Sequence, residues 1–298
     1  MNYHTENLIT VYKQRLNLQS ATFTRIDHDD AMVAIVYKIM QPNSLPLILK
    51  ICPRTQDYLR EVYFLKTFAG TLPVACVVQE VPPETGVNGA ILMECLSGTL
   101  LKKTDFTEQL AYDIGAQLAR IHLNSVEGFG DLTQPQDLSP DPRVYFTCKF
   151  EEGFAECSNH LPSKLIEQCR HYYDTHLHLL ASVDGPCIIH RDFRPGNVMV
   201  YDGKLEGIID WASARASFAE EDFCPMELGE WPTCPTSKKS FLAGYASIRP
   251  VPDFNAMMPL LRLSRAFATI GFTVKHGTWA NRHARVYKFN RQFLETFF

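Results

Sequence analysis

The sequence predicts an α+β fold, in which a small antiparallel sheet is followed by a larger, mostly helical region. Before residue 97, short runs rich in β-branched and aromatic residues alternate with clusters of turn residues, which is typical of a sheet of short strands. After residue 97, apolar residues mostly recur at helical spacing, and Asp202-Gly203 between two apolar runs indicates one β-hairpin.

Length and composition limit the class of protein. The chain has 298 residues, enough for one large or two modest domains, and its 46% hydrophobic and 21% charged residues are ordinary for a soluble globular protein. The formal net charge is −4 without a long run of one sign, which argues against a nucleic-acid partner. This mild acidity is compatible with a cationic small molecule. Nothing in the composition indicates an oligomeric state.

The cysteines and the apolar runs indicate a compartment. Nine cysteines are scattered without a Cys-x-x-Cys pair, which argues against a disulfide framework or a zinc site. The first residues lack the cationic-then-apolar layout of a signal peptide, and no apolar run approaches the roughly 20 residues that span a membrane. We expect a cytoplasmic protein with reduced thiols and no membrane partner.

The amino-terminal part is predicted to contain five strands and two helices, and its first three strands are predicted to form an antiparallel meander. The helices are expected at Met1–Leu18 and Gln56–Phe68. The strands are expected at Thr22–Ile26, Met32–Met40, Leu45–Ile51, Pro73–Val81 and Ala90–Leu96.

Two charged residues lie on apolar patterns in this part. Lys50 is inside the third strand, so it either points outward or has a buried anionic partner. Glu61 shares one stripe of the following helix with Phe64 and Phe68, so it faces inward. An ion pair between Lys50 and Glu61 would satisfy both. The alternative is an edge-strand lysine and a glutamate favoured by the helix dipole.

The carboxy-terminal part is predicted to be mainly helical. In the third of its helices, four residues are expected to face inward: Leu165, Cys169, Tyr172 and Leu179. His122 continues the apolar stripe of the first helix of this part, Phe106–Asn124. A histidine in such a position is more often a core residue than a ligand, so we assign it no chemistry. The helices are expected at Phe106–Asn124, Arg143–Cys157, Pro162–Ala181, Ser237–Ile248, Asp253–Phe272 and Asn281–Phe298.

Residues 188–211 carry the clearest functional pattern. Apolar runs flank Asp202-Gly203, so the segment predicts a hairpin with these two turn residues. Counting outward from the turn places Asn197 opposite Ile208, with Asp210 diagonal to Asn197 at roughly 7–8 Å between Cα atoms. Both polar side chains are therefore expected at one end of the hairpin.

The loop before the hairpin places Asp192 beside this end. One amide oxygen and one carboxylate, from Asn197 and Asp210, suit a hard cation such as Mg²⁺, which keeps waters and takes phosphate oxygens as further ligands. Three such side chains at one hairpin end favour a functional site. The alternative is that all three are ordinary turn residues.

The order of these residues is itself a pattern. His190-Arg191-Asp192 comes first, Asn197 follows five positions after Asp192, and Ile209-Asp210-Trp211 ends the hairpin. The pattern closely resembles the aminoglycoside phosphotransferase and choline-kinase-like family, which shares the protein-kinase fold. The resemblance implies two lobes: a nucleotide-binding lobe at residues 1–97 and a catalytic, acceptor-binding lobe at residues 98–298.

The resemblance implies a role for each residue of the pattern. Asp192 matches the catalytic aspartate that receives or orients the hydroxyl proton of the acceptor. Asn197 and Asp210 match the two Mg²⁺ ligands. Arg194 stands where many kinases place a cation near the transferred phosphate, and a plain surface arginine is the alternative. Lys50 matches the strand lysine that touches the α- and β-phosphates.

The resemblance also implies the cofactors. ATP is the expected phosphoryl donor, with GTP left open, and Mg²⁺ is the expected metal. The hinge at Glu94, Cys95 and Leu96 is expected to contact adenine through its backbone. The sequence departs from the family pattern at two places, and the contacts that the family makes there are left unassigned. The turn at residues 27–30 has no glycine to cover the phosphates, and residues 216–217 hold no glycine where family members usually carry one.

The expected partner is a small molecule with a hydroxyl group, such as an aminoglycoside, choline, ethanolamine, homoserine or a sugar derivative. The first alternative function is that of a protein kinase. Two features argue against it: Ile-Asp-Trp stands where protein kinases have Asp-Phe-Gly, and no Ala-Pro-Glu segment follows. The second alternative is a non-catalytic nucleotide-binding module of the same fold. A pocket for a cationic acceptor could be lined by five acidic and aromatic residues: Glu220, Glu227, Glu230, Trp231 and Tyr245. The alternative is that they are ordinary surface acids and core aromatic residues.

Overall fold

The computed structural model describes residues 3–27, 33–157, 159–228, 231 and 235–298, without the side chains of residues 3–7, 103 and 227. The predicted α+β class is confirmed. The strands are β1 Thr22–Ile26, β2 Ile35–Met40, β3 Leu47–Cys52, β4 Val77–Val81, β5 Gly89–Glu94, β6 Thr99–Leu100, β7 Cys187–Ile189, β8 Val198–Tyr201, β9 Lys204–Ile208 and β10 Arg215–Ser217. The helices are α1 Tyr3–Arg15, α2 Thr55–Phe68, α3 Glu108–His122, α4 Pro142–Cys157, α5 Ser163–His176, α6 Cys224–Glu227, α7 Pro235–Ala246, α8 Met258–Lys275 and α9 Ala284–Glu295.

The predicted meander of the first three strands is confirmed, since β1 pairs with β2 and β2 with β3, both antiparallel. The two further strands complete an antiparallel sheet in the order β1-β2-β3-β5-β4. The predicted start of β2, Met32, lies outside the described residues. β4 begins at Val77 rather than at the predicted Pro73. Proline has no N–H to donate to a sheet, and the residue after it, Val74, bonds back to the carbonyl of Leu72 in a turn.

The two faces of this sheet have different environments, because side chains alternate along a strand. One face carries Leu49 and Leu92, which belong to an apolar core that includes Tyr12 of α1. The neighbouring residues Lys50 and Ile91, which pair across β3 and β5, point to the other face. The sheet therefore separates an apolar core from the side that carries Lys50.

The chain groups into two compact units. The first unit is Met1–Ile121, His190–Ala214 and Pro232–Ile248, and the second is His122–Ile189, Arg215–Trp231 and Arg249–Phe298. The sheet, α2, the Asp192 loop and the hairpin thus belong to one unit. The lobe boundary after Ser97 stays a prediction.

Within the first unit, α3 and α7 pack closely at two glycines. A Cβ atom at Gly244 of α7 would overlap the carbonyl oxygen of Tyr112 in α3, and one at Gly115 of α3 would overlap that of Phe241 in α7. The absence of side chains at both positions lets the two backbones touch.

We expect Gly244→Ala to destabilise the protein by about 1–3 kcal/mol, because the added methyl group would overlap the Tyr112 carbonyl and force a shift in a packed interface. In an isolated helix the same change would stabilise by about 1 kcal/mol, so the sign of the effect identifies its cause. Denaturant unfolding measures it. The control is Ala243→Ser, at an exposed position of the same helix. A stabilised Gly244→Ala variant would contradict the close contact.

In the second unit, aromatic rings join three helices. Phe150 of α4 stacks on Tyr173 of α5 with 3.7 Å between ring centroids and meets Phe267 of α8 at 5.5 Å. These rings are buried and form the centre of the helical region of this unit.

Two of the four residues predicted to face inward on α5, Leu165 and Cys169, are buried, and the other two predictions are wrong by one residue. Tyr172 and Leu179 are only half-buried, whereas Tyr173 and Leu180 are buried. The α-helix ends at His176 and a 3₁₀ turn follows, so the helical spacing that the sequence suggested does not continue to residue 179.

A short ladder pairs β7 with β10 in the second unit, with Arg215 opposite Ile189. Residues 216–217, where a glycine was expected from the resemblance, are strand residues with negative φ, so this conformation needs no glycine. The cysteines of the described residues are free thiols. None of the described helices combines the length and apolarity needed to cross a membrane.

Candidate active site

Lys50, Glu61 and Asp210 meet in the first unit. Nζ of Lys50 lies 2.7 Å from Oε2 of Glu61 and 2.7 Å from Oδ1 of Asp210. Lys50 and Glu61 are 7% and 2% exposed, whereas the side chain of Asp210 is 46% exposed. The predicted Lys50–Glu61 ion pair is confirmed. The second carboxylate on the lysine is a contact that sequence analysis did not find.

The three charges shift one another's pKa values. Burial lowers the pKa of Lys50, but the attraction of Asp210 and then of Glu61 outweighs burial, so the pKa is raised overall. The attraction of the Lys50 ammonium lowers the pKa of Asp210. Burial raises the pKa of Glu61, although Lys50 opposes this. Lys50 is therefore a cation and Asp210 an anion at neutral pH.

Aromatic packing holds α2 next to Asp210. The ring of Trp211 lies 4.9 Å from that of Phe68 and 6.1 Å from that of Phe64, and both phenylalanines belong to α2. The indole N–H of Trp211 donates to the carbonyl of Ile208 at 3.1 Å. Because Glu61 is one turn before Phe64, this packing also fixes the position of the Glu61 carboxylate.

Asp192, Arg194 and Asn197 are joined by hydrogen bonds. Nδ2 of Asn197 donates to the backbone carbonyl of Asp192 and to its Oδ2, both at 2.8 Å. Nε of Arg194 donates to the same Oδ2 at 3.2 Å. Asn197 is 4% exposed. These bonds orient the Asp192 carboxylate and place a guanidinium beside it.

The predicted position of Asn197 opposite Ile208 is wrong by one residue. Val198 is opposite Ile208, because an extra residue in β9 interrupts the regular pairing as a β-bulge. The backbone N–H of Ile209 instead donates to the carbonyl of Asn197 at 3.0 Å. Asp210 therefore follows directly after the residue that bonds to Asn197.

The backbone around the site is held in unusual conformations. Asp210 has φ 65° and ψ 65°, and Arg191 has φ 66°, in the left-handed region that residues with a Cβ rarely adopt. Nε2 of His190 lies 3.1 Å from the carbonyl of Ile209 and so links the Asp192 loop to the residue before Asp210. Such backbone strain concentrates at functional sites.

Asn197 and Asp210 fit a magnesium ion. Both side-chain hydrogen bonds of Asn197 use its nitrogen, which leaves the amide oxygen available to a cation. Among the described residues, no group of three or more His, Cys, Asp or Glu side chains is arranged as a metal site. An ion bound by one amide and one carboxylate would complete its shell with waters and phosphate oxygens, as Mg²⁺ commonly does.

The predicted hinge begins at Glu94, the last residue of β5. The backbone N–H of Glu94 donates to the carbonyl of Cys76 at 2.9 Å. Leu96 packs against Gly207 of β9, where a Cβ atom would overlap the leucine side chain. The hinge segment that contains Cys95 is thus held between the sheet and the hairpin. Its contact with adenine stays a prediction.

Three of the aromatic and acidic residues suggested for a cationic acceptor are buried, and Glu220, at 2% exposure, is one of them. Trp231 and Tyr245 are 3% and 0% exposed. The side chain of Glu227 and all of Glu230 lie outside the described residues. The described part of this set therefore offers no exposed aromatic side chain for a cation.

His122 is a core residue, as predicted, but it belongs to a polar network. Its Nε2 lies 3.1 Å from Oδ2 of Asp222, and both side chains are 0% exposed. Arg249 donates to the carbonyl of His122 at 3.0 Å and to both carboxylate oxygens of Asp184 at 2.6 and 2.7 Å. Sequence analysis missed this network because its partners are 65 to 127 residues apart.

Glu220 is buried in the same unit, at 2% exposure, and accepts the backbone N–H of Asp184 at 3.0 Å. Burial raises its pKa to about 7. Hydrogen bonds from the backbone N–H groups of Glu220 and Asp184 oppose this increase, as does the charge of Arg249, and the charge of Asp184 adds a smaller increase. A raised pKa in the folded state means that folding favours the protonated form. The stability contribution is therefore complete below the unfolded pKa and is lost as pH rises toward 7.

We expect Glu220→Gln to be more stable than the parent at pH 8 by on the order of 3 kcal/mol, and nearly equal to it at pH 5. The glutamine keeps an oxygen for the Asp184 N–H but carries no charge. Denaturant unfolding at both pH values checks this, with Asp253→Asn, at an exposed position, as the control. An equal stability difference at both pH values would contradict a titrating Glu220.

The fold is that of a kinase-like phosphotransferase. The model of the phosphotransferase enzyme family matches residues 33–253, and the chain belongs to this family. The predicted resemblance and the predicted protein-kinase-like fold are confirmed.

The proteins that this chain is similar to are named for different acceptors. Homoserine kinase of Gluconobacter oxydans strain 621H is 25% identical over 232 residues, which cover 69% of this chain and 71% of that enzyme. Aminoglycoside phosphotransferase APH(4)-Ia has a TM-score of 0.71 at 13% identity, covering 96% of this chain and 98% of that one. A thermostable mutant of it, in ternary complex with AMP-PNP and hygromycin B, has a TM-score of 0.70 at 12% identity, covering 96% and 97%. At these identities the solved structures show the fold alone.

Proposed function

We propose that this protein transfers the γ-phosphoryl group of ATP to a hydroxyl group of a small molecule. The observation that supports this best is the meeting of Lys50, Glu61 and Asp210 at 2.7 Å, in the same unit as Asp192 and Asn197. Phosphoryl transfer needs few covalent steps from the protein and depends on positioned charges, which this arrangement supplies.

Asp192 is proposed as the catalytic base, which receives or orients the proton of the acceptor hydroxyl. Its carboxylate is fixed by Asn197 at 2.8 Å and by Arg194 at 3.2 Å. A fixed carboxylate can align a hydroxyl for in-line attack. Arg194 is proposed to stabilise charge on the phosphoryl group in transfer, since its guanidinium already lies beside Asp192.

Lys50 is proposed to bind the α- and β-phosphates, with Glu61 holding its ammonium in place. Asn197 and Asp210 are proposed to hold Mg²⁺, since one offers an amide oxygen and the other an ionised, half-exposed carboxylate. When bound, the ion would neutralise charge on the phosphate oxygens. Asp210 would then share its carboxylate between the ion and Lys50.

The nucleotide and acceptor classes are supported by similar proteins. Solved neighbours of the same fold are complexes with AMP-PNP or ADP, which supports ATP as donor. The hinge at Glu94, Cys95 and Leu96 is proposed as the adenine contact. Hygromycin B and homoserine, named for two of these proteins, both carry hydroxyl groups. The acceptor proposed here is therefore a small hydroxyl compound.

Release of ADP from Mg-ATP by the purified protein, measured across homoserine, choline, ethanolamine, aminoglycosides and sugars, tests the proposal. We expect one group of acceptors to raise ADP release well above the rate without acceptor. An equal rate with every small molecule, together with phosphorylation of added peptides, would indicate a protein kinase. Absence of ADP release despite tight nucleotide binding would indicate a non-catalytic module.

A further inference from the structure

Gly196 lies in the middle of the turn that joins the Asp192 loop to the hairpin. It belongs to a single 3₁₀ turn, Pro195–Asn197, which is closed by a hydrogen bond of 2.9 Å from the N–H of Asn197 to the carbonyl of Arg194. Gly196 is not among the described glycines with positive φ, so residues with a side chain can also adopt its backbone conformation. Conformation therefore does not explain a glycine at this position.

The space beside Gly196 is filled by Arg194. A Cβ atom on Gly196 would lie 2.5 Å from Nη1 of Arg194, 3.2 Å from Cζ and 3.7 Å from Nη2, and these are the three nearest atoms. All three belong to the same guanidinium group. The guanidinium therefore lies against the glycine, in a space that a side chain at position 196 would partly occupy.

The same guanidinium contacts Asp192 on another side. Nε of Arg194 donates to Oδ2 of Asp192 at 3.2 Å, and the arginine side chain is 21% exposed. An arginine side chain has many rotamers, so a guanidinium that acts in a transition state has to be held in one of them. The carboxylate at Nε and the glycine at Nη1 together define one position for this cation, beside the proposed catalytic base.

We propose that Gly196 is a positioning residue, which keeps open the space that the guanidinium of Arg194 needs in order to reach the transferred phosphoryl group. The inference rests on the proposed function, in which Arg194 stabilises charge on that group. A methyl group at position 196 would have to move Nη1 by about 1 Å, from 2.5 Å to an ordinary contact of about 3.5 Å. A misplacement of about 1 Å can lower a rate by about 100-fold.

We expect Gly196→Ala to lower kcat by about 10- to 100-fold, with little change in the KM values for ATP and acceptor, because the displaced cation acts in the transition state. Arg194→Ala, which removes the guanidinium, should lower kcat by about 100- to 1,000-fold. Gly196→Ala should stay folded, because the atoms nearest to the added methyl group are the mobile end of a side chain and not backbone.

The double variant with Gly196→Ala and Arg194→Ala separates positioning from a direct role of the turn. Once the guanidinium is gone, the methyl group has nothing to displace. The kcat of the double variant should therefore match that of Arg194→Ala within about twofold, although Gly196→Ala alone has a large effect. Steady-state kinetics of the parent, the two single variants and the double variant measure this coupling.

Gly203, in the turn of the same hairpin, provides the matched control. Its φ is 70°, and no described atom lies within 4 Å of its Cβ position. Gly203→Ala should lower the thermal midpoint, because alanine is strained at this φ, and should keep the parental kcat. Gly196→Ala should show the reverse pattern, with a thermal midpoint near that of the parent and a lower kcat.

Several results would overturn the inference. If Gly196→Ala lowers kcat equally in the presence and absence of Arg194, or raises only the KM for ATP, then the glycine admits a ligand and does not position the arginine. A parental kcat in Gly196→Ala or in Arg194→Ala, or loss of the fold in Gly196→Ala, would also overturn it. In all these cases the parent still phosphorylates a hydroxyl acceptor, so the proposed function stands. A parent protein that phosphorylates no hydroxyl acceptor would remove the proposed function and this inference together.

Discussion

We expect Asp192→Ala to lower kcat for phosphoryl transfer by about 100- to 10,000-fold, the usual range for loss of a general base. Binding of Mg-ATP should change little. The substitution removes the carboxylate that would align the acceptor hydroxyl, but Asn197 keeps its 2.8 Å bond to the backbone carbonyl of residue 192. Steady-state kinetics and nucleotide titration of the same preparation measure the two effects separately.

The matched control for this position is Asp192→Asn. It keeps the size of the side chain and an oxygen for Asn197, and removes only the charge and the proton acceptor. We expect its kcat to be nearly as low as that of Asp192→Ala. Turnover by either variant at the parental rate would exclude Asp192 as the catalytic base.

The second large effect is expected for Lys50→Met, with kcat/KM for ATP lowered by about 100- to 1,000-fold, as for loss of one preorganised donor to a charged transition state. Lys50 holds two carboxylates, Glu61 and Asp210, at 2.7 Å each. Its removal leaves Glu61 buried without its cation, which should also destabilise the protein by about 3–5 kcal/mol.

A second substitution separates the two effects of Lys50→Met. Adding Glu61→Gln removes the buried charge that has lost its partner, so the double variant should recover most of the lost stability but none of the activity. Denaturant unfolding and ATP kinetics of the single and double variants measure this. Recovery of activity in the double variant would show that Lys50 acts only by neutralising Glu61 and not on phosphate.

The ion pair between Lys50 and Glu61 was predictable because each residue is a charge on an apolar pattern, one in a strand and one in a helix. The five strands of the amino-terminal sheet and most helices follow from the same periodicities, but the pairing of β3 with β5 rather than with β4 does not. The contact between Lys50 and Asp210 was not predictable from patterns, because the two residues are 160 positions apart and nothing local couples them.

Errors arose where one extra residue changes the geometry. A β-bulge in β9 shifts the position of Asn197 from Ile208 to Ile209, and an alternating pattern does not reveal such an insertion. The 3₁₀ turn after α5 moves burial from Leu179 to Leu180.

The most direct test of the account is the fate of the γ-phosphoryl group. ATP labelled at the γ position is incubated with the protein, Mg²⁺ and an acceptor identified by ADP release, and phosphorus NMR identifies the labelled product. The account predicts a phosphate monoester on the acceptor hydroxyl that is absent with Asp192→Ala. Label found only in inorganic phosphate or on the protein, or a monoester formed equally well by Asp192→Ala, would contradict it.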